Sequence, residues 1–143
     1  MENDQEKTLT FFRFEDLRIY HKALDYVNWV YLVAKNPNED HLVNSFFERF
    51  VSSANNIALN IAEGSSRNKS QFVYYLKMAK SSVRECVVLS TIAQNRSFIS
   101  REAFDVSKNH LMEMTKMIGA LIGSLQRSVK PGEIIDDDEE DII

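Results

Sequence analysis

The sequence predicts an all-α fold, an antiparallel four-helix bundle in up-down-up-down order. Three observations predict it. Four long segments carry apolar residues at mixed steps of three and four, the seam of an amphipathic helix. Glycine (4) and proline (2) are scarce, so little interrupts those segments. No run alternates with the period of two that a half-buried strand shows. A chain of 143 residues that is 44% hydrophobic can bury one core and suits one domain.

The first helix is predicted over residues 15–34. Leu17, Tyr20, Leu24, Val27, Tyr31 and Ala34 step 3, 4, 3, 4, 3. Asn36-Pro37 ends it, because a residue before proline avoids the helical region. The second is predicted over 39–63, with Asn38 as N-cap and Glu39 and Asp40 favourable in its first turn. Val43, Phe46, Phe50, Ala54, Ile57 and Ile61 form its seam; Phe47, Val51, Ala58 and Ala62 widen it to face two neighbours. Gly64 is predicted as the residue that closes it.

The third is predicted over 69–95. Asn68 and Gln71 have the spacing of a capping box. Phe72, Leu76, Ala79, Val83, Val87 and Ser90 lie on one line, broadened by Val73, Met78, Cys86 and Leu89. The fourth is predicted over 101–128, capped by Ser100. Its stripe is Phe104, Leu111, Met114, Ile118, Leu121, Ile122 and Leu125. Gly119 and Gly123, one turn apart, predict a close helix approach. Pro131-Gly132 stops the helix. At ~1.5 Å per residue the four helices are roughly 30–40 Å long. Matched lengths and short links favour antiparallel neighbours. The domain organisation is an N-terminal arm (1–13), a four-helix bundle (14–130) and an acidic disordered tail (131–143).

Charge is placed unevenly along the chain. Residues 133–143 hold 7 of the 21 acidic residues and none of the 17 basic ones. Residues 1–132 thus carry 17 basic against 14 acidic residues, a net +3; residues 8–132 carry 16 against 11, a net +5. A mildly basic body bears an acidic tail. The chain opens without an apolar run behind a basic stretch, which predicts no secretion signal. The single cysteine, Cys86, excludes a disulfide framework within one chain and suits a reducing, cytoplasmic setting.

No catalytic, metal or cofactor site is predicted. Di-iron bundles need paired Glu-x-x-His motifs. The residues three before His21, His41 and His110 are Arg18, Asn38 and Ser107. Residues 63–67 lack the second glycine and the lysine of a phosphate loop. Cys86, on the apolar side of the third helix, reads as an inert core thiol. Asn56, Asn60 and Glu63 share a stripe of the second helix and read as a hydrogen-bonded polar seam against another helix or subunit. The basic residues are the exception. Lys69, Lys77, Lys80 and Arg84 fall within an arc of about 80° on the third helix at ~100° per residue. That predicts a solvent-facing stripe able to neutralise phosphates without reading sequence.

The run from Ser52 to Arg67, centred on Asn60-Ile61-Ala62-Glu63-Gly64, resembles the signature of the four-helix-bundle proteins first recognised as reading frames inside 23S rRNA intervening sequences. Residues 14–20 and 75–85 are similar to the same family, and the resemblance spans about residues 12–128. It implies an antiparallel bundle that assembles as a homo-oligomeric ring, typically a pentamer. It also implies kinship with the accessory variability protein of diversity-generating retroelements, which works with a reverse transcriptase and binds nucleic acid through basic surface residues. A pair of arginines frequent in the family appears here as Glu48-Arg49, and the acidic tail lies outside the family core.

The resulting expectation is a non-enzymatic, cytoplasmic, oligomeric accessory protein that binds RNA or DNA. Lys69, Lys77, Lys80 and Arg84 are the main contacts, with Arg67 and Arg49 secondary. The alternative is a protein–protein scaffold whose partner docks through the acidic tail.

Overall fold

The computed structural model describes residues 11–36 and 38–128. Pro37, most of the predicted N-terminal arm and the whole acidic tail lie outside the described residues. A short 3-10 helix, Arg13–Asp16, leads into four α-helices: α1 (Arg18–Ala34), α2 (His41–Ser65), α3 (Lys69–Asn95) and α4 (Arg101–Arg127). No strand occurs among the described residues. Each helix packs on two others, α1 on α2 and α4, α3 on α2 and α4, so the four enclose one core.

Helix ends follow the capping chemistry. Asn68 Oδ1 accepts from the Gln71 backbone N–H at 2.9 Å, and Ser100 Oγ accepts from that of Ala103 at 3.0 Å. At α2 the expected cap moves. Asp40 is the N-cap and accepts from Leu42 N, while Asn38 accepts from Asp40 N and pairs with the Asn44 side chain. Both residues are good caps; the Asn38–Asn44 exchange leaves Asp40 to close the helix. The α3–α4 link ends α3 in a Schellman turn. Phe98 N donates to Ala93 O, Ser97 N donates to Gln94 O, and Ser97 takes the left-handed backbone at φ 61°. Phe98 then seats its ring against Phe46 and Phe47 of α2.

The core is built from Tyr26, Phe50, Ile57, Ile61, Leu76, Leu111, Met114 and Ile118, all fully buried. The predicted seams of α2 and α4 sit at or beside the core except at their N-terminal residues Val43 and Phe104. On α1, Val27 of the predicted seam is buried and Leu17, Tyr20 and Leu24 pack beside the core, but its centre shifts by one position to Ile19, Ala23, Tyr26 and Val30, and Tyr31 is exposed. Both stripes of α1 are apolar; the inner one places the Tyr26 hydroxyl against a buried partner. On α3, Cys86 replaces Val87 on the inner line.

A chain of hydroxyls crosses this core. Tyr26 Oη lies 2.8 Å from Ser107 Oγ, Ser107 Oγ meets Ser90 Oγ, and Ser90 Oγ donates to the Cys86 carbonyl at 2.8 Å. Because Ser90 spends its proton on that carbonyl, Ser107 donates to Ser90 and Tyr26 donates to Ser107. Three helices are thereby joined by satisfied polar groups.

Two glycine expectations change. Gly64 lies inside the last turn of α2, and the helix runs on to Ser65. A Cβ there would come within 2.6 Å of Tyr75 Cβ, so close approach of α3, not helix termination, requires glycine. A Cβ at Gly119 would meet nothing within 4 Å, and one at Gly123 only the Arg127 side chain. Neither glycine brings two helices of this chain together.

Candidate functional site

A groove of about 500 Å³ runs between α3 and α4. Val83, Val87 and Val88 of α3 and Leu111 and Met112 of α4 form its apolar floor and flanks. Val83 and Leu111 belong to the core; Val87, Val88 and Met112 are exposed. Lys80 and Arg84 on one helix and Lys108 and Lys116 on the other supply four cations, and no acidic residue is among those lining it.

Glu85 of α3 and Glu113 of α4 are engaged with other helices. Glu85 takes a hydrogen bond from Ser53 at 3.0 Å and pairs with Arg49 at 3.6 Å, both on α2. Glu113 pairs with Lys22 of α1 at 3.1 Å. Four cations of two helices thus share the α3–α4 groove, whose low-dielectric walls focus their field. Lys108 also reaches over the Phe104 ring, 5.7 Å from its centroid.

The six basic residues expected from the sequence separate. Lys80 and Arg84 line the groove. Arg84 also lines a shallower depression with Arg49, Ser81, Glu85, Val88 and Leu89, so Arg49 joins the same face. Lys69 instead donates from Nζ to the Ser128 carbonyl at 2.9 Å, and Lys77 is half-buried. Arg67 pairs with Glu63 and lies 5.6 Å from the Tyr75 ring centroid, which raises its pKa, chiefly through the Glu63 hydrogen bond.

The expectation of a solvent-facing stripe fails at Lys80, which is 3% exposed. Its stem runs along the apolar α3–α4 contact, as long basic side chains do. Lys108 and Lys116 were missed. Their eight-residue spacing equals that of Lys69 and Lys77 and puts them on one side of α4, but their relevance depends on α4 lying beside Lys80 and Arg84.

The polar stripe of α2 does not pack on another helix of this chain. Asn56 and Glu63 are exposed and Asn60 half-buried. Asn60 Nδ2 donates to the Asn56 carbonyl of its own helix, and Glu63 is held by Arg67. Cys86 is fully buried, and burial with the nearby Glu85 charge pushes its pKa up to about 12, which keeps the thiol protonated and unreactive. Among the described residues no three His, Cys, Asp or Glu side chains gather as metal ligands, and no helix is long and apolar enough to cross a membrane.

The family model described as 23S rRNA-intervening sequence protein matches residues 15–120. The match includes every residue lining the groove. No curated protein matches the chain. The chain belongs to the 23S rRNA-intervening sequence protein family.

Proposed function

We propose that this member of the 23S rRNA-intervening sequence protein family is a non-enzymatic, homo-oligomeric accessory protein that binds nucleic acid along the α3–α4 groove. One observation carries the reading: cations of two helices converge on one groove whose lining holds no carboxylate. Arg84, Lys108 and Lys116 contact phosphates, while Arg49, beside them, is paired with Glu85. Such contacts position a backbone without reading bases. Lys69 and Arg67 serve the bundle, since each is engaged at a helix end.

The short links and the contact between Lys69 at the start of α3 and Ser128 after α4 support the antiparallel up-down-up-down order. The ring, with five subunits favoured, rests on the family resemblance. Exposed Tyr31, Leu32 and Leu59 on α1 and α2 offer apolar surface for it. A ring repeats a weak basic face several times, which turns modest contacts into useful affinity. A lone buried cysteine fits a reducing cytoplasm.

A second reading, a protein–protein scaffold, is favoured by the apolar floor, because Val87, Val88 and Met112 offer nothing to a phosphate. Fluorescence anisotropy of the full chain against structured RNA, duplex DNA and single strands, at ~50 and ~200 mM salt, separates the two. Salt-sensitive binding supports the accessory role. No binding by an intact oligomer leaves the scaffold.

A further inference from the structure

We propose that the acidic C-terminal segment of this same chain docks in the α3–α4 groove and shields it. The groove asks for a ligand that is both anionic and apolar, since basic side chains surround an apolar floor. Residues 133–143 have that chemistry: seven acidic side chains and no cation, six of the seven between the pairs Ile134-Ile135 and Ile142-Ile143. Nucleic acid satisfies the rim alone; this segment satisfies rim and floor.

The geometry allows it within one chain. Ser128 follows the end of α4, twelve residues beyond Lys116 and twenty beyond Lys108. Along a helix those separations are ~18 and ~30 Å. An extended chain covers ~3.3 Å per residue, so Ile135 reaches ~23 Å from Ser128 and Asp141 ~43 Å. Pro131-Gly132, between Ser128 and the acidic run, is a turn-forming pair. The surface on the way carries one side chain, that of Arg127 beside Gly123, which is itself a cation. At ~100° per residue, Gly123 and Gly119 lie within ~60° of arc with Lys116 and Met112, and no side chain stands over Gly119. Gly119, which brings no helices of the chain together, leaves the α4 surface low next to the groove.

Docking stands on the groove alone; its consequence rests on the nucleic-acid reading. Tethering holds the carboxylates at high effective concentration, so they compete with phosphates for Arg84, Lys108 and Lys116. Neutralising Asp136→Asn, Asp137→Asn and Asp138→Asn together should tighten nucleic-acid binding, on the order of tenfold at low salt.

The test joins carboxylates to amines by a zero-length carbodiimide in the full chain. Equal amounts of ordinary and nitrogen-15-labelled chain are unfolded together and refolded, then cross-linked and digested. The proposal expects amide links from residues 136–141 to Lys108 or Lys116, each within one isotopic form and lost near ~1 M salt. Links that mix isotopes would place the segment on a neighbouring copy and overturn it. Links only to lysines away from the groove, such as Lys22 and Lys35, or none at all, would also overturn it. Anisotropy on the triple Asn variant separates the two readings. Groove cross-links in the unmodified chain with no nucleic-acid binding by either form keep the docking and remove the nucleic-acid role.

Discussion

Lys69 Nζ donates a hydrogen bond to the carbonyl oxygen of Ser128 at 2.9 Å, tying the first residue of α3 to the residue that follows α4. A cation beside the carbonyls that end a helix is stabilised by its dipole. Lys69 thus works for the fold. Lys69→Ala should cost about 0.5–1 kcal/mol in urea unfolding. Its nucleic-acid affinity should fall less than that of Lys116→Ala.

The Tyr26–Ser107–Ser90 hydroxyl chain predicts an asymmetry. Tyr26→Phe removes one donor and leaves Ser107 with its bond to Ser90. Ser107→Ala removes both the acceptor 2.8 Å from the buried Tyr26 hydroxyl and the donor to Ser90. Ser107→Ala should therefore be the more costly, by about 1–3 kcal/mol of desolvation penalty, in denaturant melts.

Backbone demands at two small residues run in opposite directions. Gly64→Ala pushes a methyl into Tyr75 Cβ and should destabilise by about 1–3 kcal/mol. Ser97→Gly relieves the left-handed φ of 61° and should stabilise by about 0.5–1 kcal/mol. Thermal melts of the two variants should move to opposite sides of the parent.

Burial raises the pKa of Cys86 from 9.0 to about 12 and that of Tyr26 well above 10.0. Both groups stay protonated in the fold and ionise earlier when unfolded. Their contribution is complete below pH 9 and is lost as pH rises toward 12, at about 1.4 kcal/mol per pH unit per group. Cys86→Ala should flatten the first part of that decline. In the parent at pH 8, a thiol reagent should titrate Cys86 only after denaturant is added.

Helix positions were legible where a single capping residue stands alone. Asn68 and Ser100 marked α3 and α4 to the residue at their N-termini, whereas α2 offered two candidates, Asn38 and Asp40, and the Asn44 side chain decided between them. Gly64 was legible as special but not for its reason, because the Tyr75 approach is a contact between helices. The apolar surface of α1 carries two stripes, and periodicity alone does not choose between them. At the site, Lys80 and Arg84 could be read as one line on one helix. That Lys80 is buried, and that Lys108 and Lys116 complete the groove, depends on how α3 sits on α4.

The most direct test of the nucleic-acid role compares two charge reversals of equal size in the full chain. One is Lys108→Glu with Lys116→Glu, on the groove. The other is Arg18→Glu with Lys35→Glu, at exposed positions at the two ends of α1. Affinity for duplex and structured RNA probes is measured by anisotropy across salt concentrations, with circular dichroism confirming the fold. The groove pair should weaken binding at least about tenfold and reduce the slope of log affinity against log salt by about two, while the α1 pair leaves the slope close to the parent's. Equal losses in both variants would mean that net charge, not the groove, governs binding, and would contradict the account.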